Sequence, residues 1–72
     1  MPLNLTQLRS DLENVVLNRT GRRVRNLDID LQPERVVLHG MVTSYYVKQL
    51  AQEGVREFLP HVTLANEIVV GS

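Results

Sequence analysis

The residues best suited to chemistry in this 72-residue chain are four arginines that lie close together. Arg19, Arg22, Arg23 and Arg25 fall within seven residues, with no acidic residue between them. The chain has eight basic and eight acidic residues, so this segment concentrates positive charge in an otherwise neutral protein. A basic residue near an anionic membrane contributes about 1 kcal/mol of binding. The cluster therefore predicts contact with anionic headgroups; the alternative is a solvated loop in which Arg19 stabilises a helix C-terminus.

Two adjacent tyrosines, Tyr45 and Tyr46, are the second candidate for binding. They stand at the start of a predicted helix, and amphipathic rings near a helix end suit a lipid interface or a protein contact. The alternative is ordinary packing. We expect one ring to pack over the edge of the core and the other to stay partly exposed.

Metal-binding residues are sparse in this sequence. His39 and His61 are the only two histidines, and there is no cysteine, so a thiolate zinc site is impossible and a histidine site is improbable. Asp28 and Asp30 share one face of a predicted strand and Glu34 follows in a turn, but a hard cation needs six or more oxygen ligands. We expect no metal and interpret these acids as a solvated face.

The sequence also lacks recognisable motifs for catalysis or for cofactor binding. A nucleophile needs an adjacent base and a third group that orients the base, and no serine in the chain has such a setting. The four glycines form neither a dinucleotide-binding nor a phosphate-binding loop. Four arginines on a neutral domain give a weak footprint for nucleic acid. The expectation is a protein that is not an enzyme, with no catalytic residues and no cofactor.

Two stretches have the periodicity of amphipathic helices. Apolar side chains recur at steps of three and four over residues 4–19 and 45–59. Asn4 is the first residue of one stretch and Ser44 immediately precedes the other, and both are suitable N-caps. Gly21 stands where a helix ends in a left-handed residue. These signals predict two helices of similar length.

Three stretches have the composition of β-strands. Residues 24–31 alternate apolar and polar side chains, and residues 35–43 form a second strand after the short turn at 32–34. The short turn predicts an antiparallel hairpin. Residues 62–70 are rich in β-formers, but Asn66 breaks the inward alternation, which predicts a bulge or a kink near that point.

The order of these elements predicts a single α+β domain over residues 1–72. Three strands and two striped helices pack most simply as a two-layer αββαβ sandwich, with a mixed sheet and both helices on one face. The second helix forms a crossover, so the third strand should run parallel to the second. We favour the strand order 2-1-3, which puts the first strand in the centre.

Two glycines and three apolar residues have predicted roles in this fold. Gly40 lies at an inward position of the second strand, where it would give the helices room to pack close to the sheet. Gly54 lies on the apolar stripe of the second helix and would let the helices approach each other. Val37, Met41 and Val69 belong to the opposite sheet face, where they would form an apolar interaction patch.

The second half of the chain also resembles a known family. Residues 36–44 fit the pattern V-x-L-x-G-x-V-x-S, and a lysine-bearing helix over residues 45–59 and a strand with Asn66 before three aliphatic residues follow. In order and spacing, residues 4–70 resemble a BON domain, the module named for bacterial osmotic-shock and nodulation proteins. His61 departs from the family pattern, which usually has a glycine in that turn.

The resemblance implies an αββαβ fold and a non-enzymatic role. BON domains are generally regarded as modules that attach to phospholipid membranes or to partners at the bacterial envelope, including the periplasm. The implied partner is anionic phospholipid or an envelope-associated protein. The alternative is a structural domain that mediates protein–protein contacts, with a second copy or with neighbouring domains of the same chain. The amino terminus has no basic stretch followed by an apolar core, so no secretory signal is visible.

Overall fold

A computed structural model describes residues 4–71, and residues 1–3 and 72 lie outside the described part. It has the expected α+β architecture, but the sheet has four strands where three were predicted. The elements in chain order are α1 (Leu5–Thr20), β1 (Arg25–Leu31), β2 (Arg35–Val42), α2 (Tyr45–Phe58), β3 (Thr63–Asn66) and β4 (Val69–Val70).

Helix α1 begins and ends at the residues that the sequence marks. The Asn4 side chain accepts a hydrogen bond from the Gln7 backbone N–H at 3.0 Å, which confirms the predicted N-cap. At the other end Gly21 is left-handed, with φ +64°. Its N–H donates to the Asn18 carbonyl, and the Arg22 N–H donates to the Leu17 carbonyl at 2.8 Å. This pair of hydrogen bonds is a Schellman motif, and it satisfies two carbonyls that the end of the helix would otherwise leave without a partner.

Strand β2 is the centre of the sheet, so the predicted order 2-1-3 is wrong. Strand β1 pairs antiparallel with one edge of β2, and β3 and β4 pair parallel with its other edge. The parallel orientation of the third strand is therefore confirmed. The run Val36-Val37-Leu38 is buried throughout, whereas β1 alternates with exposed aspartates. In a central strand even a residue on the open face is shielded by the strands on both edges, and Val37 lies between Asp30 of β1 and Ala65 of β3.

The third predicted strand is interrupted after Asn66, as its broken alternation indicates. The Asn66 side-chain oxygen accepts from the Ile68 N–H at 3.2 Å, and its amide nitrogen donates to the Lys48 carbonyl of α2 at 3.0 Å. The chain still follows β2, because the Glu67 N–H donates to the Leu38 carbonyl. The kink turns Ile68 into the core, where it is almost completely buried.

Strand β1 contains a bulge that periodicity alone did not reveal. Asp28 pairs with His39, but Arg25 pairs with Met41, so the two residues between Arg25 and Asp28 stand opposite one residue of β2. The first of the two, Asn26, has φ +54°, as in bulges whose first residue is left-handed. The extra residue shifts the alternation of side chains between the two sheet faces by one position for the residues that precede it. As a result Arg25 lies on the sheet face away from the helices.

Gly40 stands opposite this bulge, and its surroundings differ from the expectation. A β-carbon at Gly40 would lie 2.8 Å from Val24 Cγ1, 3.1 Å from the Arg25 carbonyl oxygen and 3.5 Å from Leu27 Cα. All three atoms belong to β1 and the residue before it. The close approach that requires glycine is thus between the two strands of the hairpin. The prediction that Gly40 gives the helices room to pack against the sheet is wrong.

The core lies between the sheet and the two helices. Gly54 of α2 lies against α1, where a β-carbon would be 3.2 Å from Val15 Cγ1 and 3.4 Å from Arg19 Cβ. In the described residues, no buried side-chain nitrogen or oxygen lacks a hydrogen-bond partner, and neither helix is long and apolar enough to cross a bilayer. The buried apolar cluster consists of Leu12, Val16, Val24, Ile29, Val36, Leu38, Val42, Val47, Ala51, Val55 and Ile68.

Candidate anion-binding surface

The four clustered arginines do not act as one group, because Arg19 is paired. Its guanidinium donates a hydrogen bond to the Glu57 carboxylate, in the last turn of α2, and the two form a salt bridge. This hydrogen bond raises the pKa of Arg19; desolvation opposes it, and the negative charges of Glu57 and Glu53 add to it. Arg19 therefore links the two helices with its charge balanced, and it differs in this from the three arginines that follow.

Arg22, Arg23 and Arg25 are exposed, and among residues 4–71 none of the three forms a salt bridge. Arg22 has a left-handed backbone, with φ +60°, in the turn after α1. The Nε of Arg23 donates to the Thr20 carbonyl at 2.8 Å, and its two terminal nitrogens have no hydrogen-bond partner among residues 4–71. We refer to these three residues as the free arginines.

A shallow depression of about 250 Å³ lies between two of the free arginines and the end of β2. The bulge in β1 is the reason that Arg25 reaches it, since regular alternation would put Arg25 on the helix side with Leu27 and Ile29. Its lining combines two arginines with apolar residues. It is lined by Arg23, Arg25, Met41, Val42, Thr43 and Gly71, and we call it the arginine depression.

Both tyrosines lie at the same end of the domain as the arginine depression. Helix α2 starts two residues after Thr43, and the Ser44 hydroxyl between them caps it by accepting from the Val47 N–H at 3.3 Å. Tyr45 and Tyr46 are 61% and 64% exposed. The expectation that one of them packs over the core edge is therefore wrong, and both rings are available for contacts.

The open face of the sheet carries a smaller apolar patch than predicted. Met41 and Val69 are direct neighbours across β2 and β4, and they are 49% and 58% exposed. Val37 lies on the same face but is only 3% exposed, between its register partners Asp30 and Ala65. A buried Val37 cannot serve in an interaction patch, so the exposed apolar pair is Met41 and Val69, next to the arginine depression.

The opposite end of the domain has an apolar groove of about 540 Å³ that sequence reasoning missed. It forms where the start of α1, the β1–β2 turn and the segment after α2 meet, a convergence that no local sequence signal marks. The lining residues are Leu5, Leu8, Leu31, Gln32, Pro33, Val36, Leu59, Pro60, His61 and Val62.

No protein-family model matches the chain, and no curated protein or solved structure matches it either. The described residues contain no group of three or more histidine or acidic side chains that could hold a metal ion. His39 Nδ1 lies 4.0 Å from the Glu67 carboxylate, as a single exposed pair on the open sheet face. The arginine depression and its surroundings are thus the part of the described surface with the most distinctive chemistry.

Proposed function

We propose that this domain is a non-enzymatic binding module that attaches to an anionic phospholipid surface by the end that carries the free arginines. The observation that carries the proposal is that Arg22, Arg23 and Arg25 are exposed and without a carboxylate partner in the described residues. Three basic residues at about 1 kcal/mol each give about 3 kcal/mol, which is about a 150-fold gain in partitioning onto the membrane.

Exposed apolar and aromatic side chains beside the free arginines support the same proposal. Tyr45 and Tyr46 start α2 at this end, and Met41 and Val69 lie side by side on the open sheet face. Peripheral binding to membranes combines electrostatic attraction to anionic lipids with burial of apolar surface at the interface. Tyrosine suits the headgroup region in particular, because its ring is apolar and its hydroxyl is polar.

The resemblance to BON domains is the second line of support. It implies attachment to phospholipid or to an envelope-associated protein, and the chain has the αββαβ order that the family resemblance implies, with its last strand split in two. A protein partner at the envelope is an outcome that the same experiment can identify.

Co-sedimentation with vesicles tests the lipid proposal. We expect the wild type to pellet with phosphatidylglycerol vesicles and not with phosphatidylcholine vesicles, and to be released by salt because the attraction is screened. The variant R22Q/R23Q/R25Q should lose most of the binding. The control R9Q/R35Q/R56Q removes the same number of exposed positive charges elsewhere and should lose much less. Equal absence of binding to both vesicle types would refute the lipid proposal and favour a protein partner.

A second candidate function, self-association or docking to another domain, is favoured by the exposed pair Met41 and Val69. These residues lie on an uncovered sheet face, and the outer edge of β1 has no partner strand in the described part of the chain. Exposed strand edges can pair with a second copy. Light scattering after size exclusion measures the oligomeric state. A wild-type dimer that becomes a monomer in the variant M41Q/V69Q would support this function, and a wild-type monomer at all concentrations would contradict self-association.

A further inference from the structure

We infer that the arginine depression is a defined site for a phosphate group, and that the group it holds is the phosphomonoester headgroup of a lipid. This inference rests on the proposed function for the identity of the surface. It adds that Arg23 and Arg25 recognise one phosphate by geometry, whereas the proposed function needs only their positive charge.

The two arginines supply directional donors to the same small space. Arg23 lines the depression, its Nε–H donates to the Thr20 carbonyl, and its terminal nitrogens have no partner in the described residues. Arg25 also lines the depression, and Thr43 adds a hydroxyl at its rim. A guanidinium presents a planar fork of N–H groups that matches phosphate oxygens in pairs. Fixing a side chain before binding lowers the entropy that binding must overcome.

The balance of charge favours a monoester over a diester. Two arginines line the depression, and none of the described residues that line it is acidic. A phosphomonoester carries between one and a half and two negative charges near neutral pH and has three acceptor oxygens. A phosphodiester has a single charge and two free oxygens, so it would leave part of the donor set unused.

The apolar part of the depression favours a lipid over free phosphate. Met41 lines the depression and is 49% exposed, and its partner across the sheet, Val69, is 58% exposed. An exposed apolar pair on the open sheet face thus adjoins the two arginines. The volume of about 250 Å³ far exceeds the approximately 30 Å³ of one water molecule, which leaves space for a glycerol backbone beside the phosphate.

The backbone that presents these arginines is unusual on both sides. Arg22 and Asn26 have φ values of +60° and +54°, and they bracket the segment that carries Arg23 and Arg25. Left-handed residues other than glycine are uncommon and are concentrated at functional sites. Here the bulge at Asn26 has a direct consequence, because it moves Arg25 from the helix side of the sheet to the depression.

Charge-conserving variants separate recognition from simple attraction. We expect R23K and R25K each to weaken binding to phosphatidic acid vesicles about tenfold or more, since lysine cannot make the paired contact. R22K should stay within about threefold of the wild type, because Arg22 does not line the depression and attraction by charge is conserved. Circular dichroism and the melting temperature establish that each variant is folded.

The source of the phosphate is decided by titration followed by NMR. Soluble short-chain phosphatidic acid should shift the amide signals of Thr43 and Gly71, and inorganic phosphate should bind at the same place at least tenfold more weakly. Equal affinity for inorganic phosphate would overturn the lipid assignment in favour of a free phosphate. If the wild type binds anionic vesicles but R22K, R23K and R25K behave alike, the site is refuted and the proposed function stands. No binding to any anionic vesicle refutes both.

Discussion

Replacing Gly40 by alanine should destabilise the domain through the hairpin and not through the helices. The new β-carbon would lie 2.8 Å from Val24 Cγ1 and 3.1 Å from the Arg25 carbonyl oxygen. Carbon atoms attract best at about 3.5–4.0 Å, so Val24 or the strand must move. Overpacking of this kind costs about 1–3 kcal/mol, a large share of the roughly 3–5 kcal/mol that a core of this size supplies.

A double-mutant cycle identifies the neighbour that resists the substitution. Val24 is 7% exposed and packs in the core, so V24A alone should cost about 1.5 kcal/mol from two lost methyl groups at about 0.8 kcal/mol each. In the V24A background the closest contact of the Gly40→Ala methyl is gone. The double variant should therefore be more stable than the sum of the single changes predicts, by at least about 0.5 kcal/mol. Recovery stays partial because the contact with the Arg25 carbonyl remains and because φ at Gly40 is +157°, which residues with a β-carbon rarely adopt.

The assay is urea unfolding followed by circular dichroism, with all variants in the same concentration of trimethylamine oxide, which strengthens burial and preserves a folded baseline. The control cycle combines G40A with A51G, which changes a buried residue of α2. We expect that pair to be additive within about 0.5 kcal/mol. Additivity of G40A with V24A, together with coupling to A51G, would show that Gly40 makes room for the helices and would refute the reasoning.

Three further stability measurements by the same assay test other backbone features. Asn26→Val should cost about 1–2 kcal/mol, because a β-branched residue resists the left-handed conformation, whereas Asn26→Gly should stay close to the wild type. Asn66→Ala should cost about 1–3 kcal/mol, because it leaves the Ile68 N–H without its partner and removes the side-chain hydrogen bond that ties the Asn66 segment to the Lys48 carbonyl of α2; a neutral result would contradict this. Gly54→Leu should cost about 1–3 kcal/mol by forcing the helices apart, and a variant as stable as the wild type would show that they can separate freely.

The elements themselves could be predicted because their signals are local. The caps at Asn4 and Ser44 and the left-handed Gly21 each depend on residues within one turn, and all three are found where the sequence places them. The interruption at Asn66 is also local, since its side chain bonds the N–H two residues ahead. Because these signals are local, the observed boundaries of the helices and strands lie within a residue or so of the predicted ones.

The prediction of the strand order was wrong because the order depends on which strand has partner strands on both edges. Alternation in β1 and the short turn predict the hairpin correctly, but they are equally compatible with either strand in the centre. The informative signal was the run Val36-Val37-Leu38, which is buried throughout because a central strand has a neighbouring strand on each edge. Val37 points away from the helices, and its neighbours Asp30 and Ala65 make it inaccessible.

The charged surface shows why counting residues in a cluster is a weak guide to function. Arg19 does not act with the other three arginines because it is paired with Glu57, 38 positions further along the chain. No local pattern indicates that pairing. Arg25 joins the surface because one extra residue in β1 reverses the alternation before it. The pair that makes this possible is Asn26, which tolerates the left-handed conformation, and Gly40, which has no side chain to obstruct the bulge. The direction of Arg25 is therefore set by the pair Asn26 and Gly40, which the number of arginines in the segment does not reveal.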